Sequence, residues 1–288
     1  MSETKSKVGI VTDSAAAFTS DQIDNQGIFV ARMEITIDGE TFIDGADSGL
    51  DEFYSKLPSF ETIPTTSAPN PAEYLAQIRK AAANTRDILC ITVSARLSAA
   101  FDAATVGAEQ AVAENPDLNI RVFDSGTAAS SQALIVSAAT RASDAGASLE
   151  EVETEARKVA KHVRLVAMLD TLRFIHRSGR VPKIAVWVTS ALNIKPVMEF
   201  STSKIGAISR SRSTSKAIAR IRKEMERDLT GKTAHINVIH ADALENAENI
   251  REWASQNFDC AELFVSQFHP FMGAHTGPGL VGASWWAE

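Results

Sequence analysis

Short groups of hydroxyl, cationic and imidazole side chains recur along the chain, each at the end of an apolar run. They are Thr12-Asp13-Ser14, Thr65-Thr66-Ser67, Ser94-Ala95-Arg96-Leu97-Ser98, Asp124-Ser125, Ser178-Gly179-Arg180, Arg210-Ser211-Arg212 and His275-Thr276-Gly277-Pro278-Gly279. Open α/β folds assemble ligand sites at strand ends, so this scatter predicts one site brought together by folding. Neutral donors with a few cations suit a small anionic head group. Thr66, Ser67, Ser94 and Ser98 stand beside a strand end or helix start. A hydroxyl there can cap the helix or, helped by the positive end of the helix dipole, hold a carboxylate. His275 lies in a glycine-rich loop, where Gly277 and Gly279 let the backbone approach a ligand while the imidazole donates to it. Arg180, after Gly179 in a turn, and Arg212, in a Ser/Arg segment, read either as solvated surface or as charge partners of the same ligand.

Other chemistries lack their context. Gly277 to Gly282 matches GxGxxG, but only six residues follow it, leaving no room for the helix, second strand and ribose-binding acid of a dinucleotide fold. Gly231-Lys232-Thr233 resembles the end of a phosphate-binding loop, but its first glycine would fall on Glu226. No GxSxG elbow accompanies the serines, and His269 and His275 have neither an HExxH spacing nor an acidic cluster beside them. His269 therefore reads as a structural histidine. Asp13 and Asp124, both at strand ends, read as turn hydrogen-bonding groups rather than Mg²⁺ ligands.

With 288 residues, 44% of them hydrophobic, the chain can bury a sizeable core as one large or two modest domains. A formal net charge of -7 argues against a nucleic-acid or anionic-membrane binder, which needs a basic face. The opening MSETKSKVGIVTDS has no long apolar stretch, so neither a signal peptide nor stable membrane insertion is expected. Cys90 and Cys260 sit in apolar runs without CxxC spacing, as buried thiols of a cytoplasmic protein do.

The elements that must position these groups follow from periodicity. Continuous apolar runs at 8–12, 30–37, 88–93, 120–123, 165–169, 236–240 and 263–265 predict strands, and their lack of alternation predicts parallel, doubly covered ones. Helical patterns cover 71–84, 97–113, 127–145 and 149–162, with Asn70-Pro71 as a start signal. Near Lys161 to Arg164 the pattern changes, with shorter helices and a polar segment, Ser201 to Ser215, downstream. This predicts domains over residues 1–163 and 164–288. The helix from Ser213 to Leu229 carries Arg220, Arg222, Lys223 and Arg227, and reads as a solvated amphipathic helix first and a docking surface for a partner second.

Taken in order, the motifs resemble the DegV family of bacterial fatty-acid-binding proteins. The family opens with a strand ending in TDS, here Thr12-Asp13-Ser14, and continues with a segment like Phe42-Ile43-Asp44-Gly45. A TSxP motif follows at Thr66-Ser67-Ala68-Pro69, and an LSGT-like motif at Leu97-Ser98-Ala99-Ala100. Then come Asp124-Ser125, a GGR-like turn at Ser178-Gly179-Arg180, Leu192-Asn193-Ile194-Lys195-Pro196, Arg212 before a Lys-Ala helix, and an HxGPG loop at His275 to Gly279. Two departures touch the site: Ala99 and Ala100 replace the usual Gly-Thr, and Ser178 replaces the first glycine of the turn.

The resemblance implies a two-domain α/β fold: an N-terminal parallel α/β/α sandwich and a C-terminal α/β domain with a mixed sheet, with the ligand between them. It implies one long-chain fatty acid in an apolar tunnel, its carboxylate held by Thr66, Ser67, Ser98 and His275, with Arg180 and Arg212 nearby and Ser94, Gly277 and Gly279 as secondary candidates. It also implies a non-catalytic subunit of a fatty acid kinase system in phospholipid metabolism, without cofactor or metal. A separate ATP-binding protein, similar to dihydroxyacetone kinase, would phosphorylate the bound acid. Burying fourteen methylenes at about 0.8 kcal/mol each gains roughly 11 kcal/mol before binding costs, enough for a ligand that rarely leaves. From the residues alone, a serine-type acyl hydrolase, a stand-alone phosphotransferase and a lipid-sensing regulator stay open.

Overall fold

A computed structural model describes residues 7–45, 50–60, 62, 64–181 and 194–288. Leu192 and Asn193 of the motif ending in Pro196 lie outside the described residues. From the N-terminus run β1 (Gly9–Asp13), α1 (Ser20–Gln26), β2 (Phe29–Ala31), β3 (Glu34–Ile37), β4 (Glu40–Ile43), α2 (Leu50–Lys56), β5 (Thr65–Ser67) and α3 (Pro71–Ala82). Next come β6 (Asp87–Thr92), α4 (Ala100–Glu114), β7 (Asn119–Asp124), α5 (Ala129–Asp144), α6 (Leu149–His162), β8 (Arg164–Met168) and α7 (Arg173–Arg177). The chain then continues through β9 (Lys195–Phe200), β10 (Ile205–Ser211), α8 (Thr214–Leu229), β11 (Thr233–Ala241), α9 (Leu244–Asn257), β12 (Asp259–Gln267), α10 (Pro270–Thr276) and β13 (Leu280–Ala287).

The protein is a mixed α/β fold. Strands β2-β1-β6-β7 form a parallel sheet with helices on both faces, which is why β6 reads as an unbroken apolar run whose side chains are nearly all buried. A second sheet, β10-β9-β8-β13-β11-β12, is mixed, with only β11 and β12 parallel to each other. The uniform parallel reading therefore holds for the first sheet and that one pair. A small antiparallel sheet, β4-β3-β5, sits beside them.

Local signals work as expected where they are strong. Asn70 Oδ1 accepts from the Glu73 N–H at 2.9 Å to start α3. The helix predicted over 149–162 also forms, and the structure adds a start signal that periodicity does not carry, a reciprocal capping box of Ser148 and Glu151 at α6. Elsewhere the structure differs. The run 30–37 breaks at Arg32-Met33 into β2 and β3, which belong to different sheets. The polar segment 201–215 contains β10, an edge strand of mostly half-buried positions whose short apolar stretch, Ile205 to Ile208, lies between polar flanks. Helices α8 and α9, with 16 and 14 residues, are not shorter than the upstream ones.

The two larger sheets meet through α5 and through crossing hydrogen bonds. Ser130 and Ser131 of α5 place their hydroxyls 2.7 and 2.9 Å from that of Ser284 in β13. The Arg96 guanidinium donates to the carbonyl of Thr202 at 3.1 Å. One buried apolar cluster draws from both sides of this seam, joining Val93, Ala128 and Ala129 to Leu165, Ala167 and Leu280.

Candidate functional site

At that seam lies a narrow, predominantly apolar cavity that opens to solvent. Its walls come from Val93 and Leu97 after β6, Ala128 and Ala129 at the start of α5, Leu165 and Ala167 of β8, and Leu280 of β13. Phe268, Phe271 and Met272, at and before the first turn of α10, close one side. Polar groups among its lining residues are few: Thr66, Ser98, Arg180, His275 and Thr276.

Thr66 and His275 meet directly, Oγ1 to Nε2 at 2.9 Å. Thr66 is on β5, paired with Ile35 of β3, and His275 is in the last turn of α10. Removal from water, with the Arg180 cation nearby, holds the His275 imidazole down to a pKa of about 4. It is therefore neutral at pH 7, and its Nε2 and the Thr66 hydroxyl form a donor-acceptor pair at the edge of an apolar space. The Phe271 ring meets the imidazole edge-on, centroids 5.5 Å apart, and limits its rotation.

Ser98 lines the same cavity just before α4, where its Oγ accepts from the Ala100 N–H at 3.3 Å and its proton can be aimed elsewhere. Arg180 is exposed at the mouth, where its Nη1 donates to the Ser178 carbonyl at 3.0 Å. The fold thus brings Thr66, Ser98, Arg180 and His275 to one cavity.

Ser67, Ser94, Arg212, Gly277 and Gly279 do not line it. Strand alternation turns the exposed Ser67 to the face opposite Thr66. Ser94 is buried, its Oγ accepting from the Arg96 N–H at 3.3 Å. Arg212 is exposed between β10 and α8. Gly277 and Gly279 have φ of +75° and +82°, and a Cβ at Gly277 would lie 2.2 Å from the Phe174 ring. Their task is to turn the chain from α10 into β13.

The other motifs are absorbed by turns and contacts. Asp124 Oδ1 accepts from the N–H groups of Gly126 and Ala95 at 2.8 and 3.2 Å. Buried Asp13 accepts from Val93 N–H at 2.8 Å, Gln132 at 3.0 Å and the Tyr74 hydroxyl at 3.2 Å; burial outweighs these bonds and raises its pKa to about 6. Along α8, Arg222 bonds Asn249 and lies over the Trp253 ring, while Arg220 and Arg227 pair with Glu224. Most of the helix's cations are thus engaged within the chain.

The sequence reading missed Thr276 and the apolar walls. Thr276 is buried and its hydroxyl donates to the Met272 carbonyl at 3.1 Å; its place within the HxGPG loop was the available signal. Ile175 and Phe200 carry no sequence mark, because only the fold turns them inward.

The family model described as "Uncharacterised protein, DegV family" matches residues 7–288. A DegV domain-containing protein of Streptomyces coelicolor is 30% identical over 277 residues, covering 96% of each chain. One from Listeria innocua is 28% identical over 281 residues, covering 97% of this chain and 98% of its own. Among solved structures, a Thermus thermophilus DegV family protein described for fatty acid binding superposes with a TM-score of 0.89 at 24% identity, covering 98% of this chain and 100% of its own. DegV of Bacillus subtilis, described as a fatty acid binding protein, gives 0.85 at 25% identity with the same coverage. With a family match over nearly its whole length and a fold shared with these structures, the chain belongs to the DegV family.

Proposed function

We propose that the chain binds one long-chain fatty acid and presents its carboxylate to a separate ATP-dependent kinase, similar to dihydroxyacetone kinase, for acyl-phosphate formation. The observation that carries this reading is the Thr66–His275 pair at 2.9 Å on the edge of an apolar cavity. The cavity takes the tail. Thr66, Ser98 and His275 supply donors to the carboxylate, and Arg180 at the mouth offsets its charge. Fatty-acid binding in the Thermus thermophilus and Bacillus subtilis relatives supports the same ligand class. Ser67, Arg212, Ser94, Gly277 and Gly279 are left outside the carboxylate's immediate partners.

In this reading the chain itself does no phosphoryl transfer, which requires a nucleotide's phosphates and Mg²⁺ to be positioned. Gly277 to Gly282 runs into β13, and Gly231-Lys232-Thr233 runs from a turn after α8 into β11; neither cradles a phosphate ahead of a helix. We place the domain boundary between residues 163 and 164, since the parallel sheet draws its strands from before it and the mixed sheet from after it. No helix among the described residues is long and apolar enough to cross a membrane. The free thiols Cys90 and Cys260 support a cytoplasmic setting. Incubation with labelled ATP, Mg²⁺ and palmitate tests the division of labour: acyl phosphate is expected only with the kinase subunit added, and its formation by this chain alone would overturn the proposal.

A further inference from the structure

The TDS and FIDG motifs are not part of the cavity, yet folding joins them at the helix that carries His275. Asp44 is 1% exposed and each of its carboxylate oxygens accepts one hydrogen bond. Its Oδ1 accepts from the Phe271 N–H at 3.0 Å, and its Oδ2 from the Ser14 hydroxyl at 2.7 Å. Ser14 Oγ in turn accepts from the Met33 N–H at 3.0 Å, and the Asp44 N–H donates to the Met33 carbonyl at 2.8 Å. His269 Nδ1 lies 3.7 Å from Asp44 Oδ2 on the same side. A buried carboxylate is costly, and one that accepts a donor at each oxygen is held in place.

What it fixes is α10. Pro270 has no N–H, so Phe271 offers the first backbone donor of this helix, and Asp44 takes it. His275 stands four residues later on the same face, its ring against that of Phe271. Tyr54 secures the approach to the helix: its hydroxyl donates to the Phe268 carbonyl at 2.8 Å, and a Cβ at Gly273 would lie 2.6 Å from that hydroxyl. With 7 residues, α10 has no length over which to absorb a shift, so movement of its first turn reaches His275. A hydrogen bond drawn out to about 3.6 Å is lost, so a displacement below 1 Å separates Thr66 from His275.

We propose that Asp44 is a positioning residue that sets His275 against Thr66 by holding the first turn of α10. This inference rests on the fatty-acid reading for its consequence, but its geometry can be tested without ligand.

The test compares Asp44→Asn, which keeps an acceptor for Phe271, with Asp44→Ala, which removes it, using the full chain. The first readout is the ¹⁵N resonance of His275 Nε2 in ligand-free protein; the second is the dissociation rate of palmitate. Asp44→Asn is expected to keep the wild-type resonance and rate. Asp44→Ala is expected to shift the resonance and speed release by about tenfold or more, as loss of a hydrogen bond to the carboxylate does. A folded Asp44→Ala protein with an unmoved resonance overturns the proposal. If that variant does not fold, Asp44→Ser decides: it keeps a polar group but is too short to reach the Phe271 N–H, and an unmoved resonance there is equally fatal. Failure of wild type to bind palmitate would remove the fatty-acid reading while leaving the resonance to judge Asp44.

Discussion

Thr66 and His275, 209 residues apart in sequence, share a 2.9 Å contact between their side chains at the edge of the cavity. The pair ties the small antiparallel sheet to α10 across the cavity. Each group can turn from the other to a ligand oxygen, so binding a carboxylate exchanges one hydrogen bond for two.

If Ser98 and His275 hold the carboxylate as proposed, removing either donor is expected to weaken retention without unfolding the protein. Ser98→Ala and His275→Ala would then each delete one bond to a charged group, worth about 1.5 to 3 kcal/mol. Palmitate affinity is expected to fall by roughly ten- to a hundredfold in each, with circular dichroism unchanged. Unaltered occupancy in both variants contradicts the site as assigned.

The low pKa of His275 has a definite sign in stability. Between about 4 and the ordinary 6.5 the unfolded chain takes up a proton that folded His275 does not, so stability from this group falls as pH drops through that window. The full penalty, about 3 kcal/mol, is reached below the folded value. Asp13 acts oppositely: with its pKa raised to about 6, the folded protein keeps a proton that the unfolded chain has released, and stability falls as pH rises from about 3.8. The His275 contribution is therefore read as the difference between wild type and His275→Gln in denaturant unfolding at pH 4 and pH 7. A bound fatty-acid carboxylate, being anionic, should raise the His275 titration midpoint followed by NMR.

Two glycines with similar backbone separate strain from contact. Gly179 has φ of +68° with nothing within 4 Å of a Cβ, whereas at Gly277, with φ of +75°, a Cβ would meet Phe174 at 2.2 Å. Gly179→Ala should cost about 1 kcal/mol, the left-handed penalty alone. Gly277→Ala should cost clearly more, about 3 kcal/mol or above, because the Phe174 ring must move as well. Equal losses in thermal unfolding would show that the turn, not the Phe174 contact, makes this position a glycine.

The fold was legible where a single physical rule governed a segment. Burial on both faces made β6 an unbroken apolar run, Asn70-Pro71 marked the start of α3, and helical periodicity marked α6. It was illegible where tertiary context overrode local pattern. Residues Arg32 and Met33 interrupt one apolar run to feed two sheets, and β10 has only a short apolar stretch between polar flanks. The gathering of Thr66, Ser98, Arg180 and His275 at one cavity was legible because polar types stood at the ends of apolar runs. Ser67 looked equivalent to Thr66, yet alternation along β5 turns it outward. The motif glycines looked like ligand contacts, yet the crowding at Phe174 and Asp170 accounts for them. Asp44 could not be linked to Phe271 from sequence, since 227 residues separate them.

The most direct measurement is the amount and chemical form of lipid released from the purified chain by organic extraction and mass spectrometry. The account predicts close to one intact, unesterified long-chain fatty acid per chain, or uptake to that ratio when palmitate is supplied to stripped protein. Protein that carries no fatty acid and takes up none from excess palmitate would contradict it.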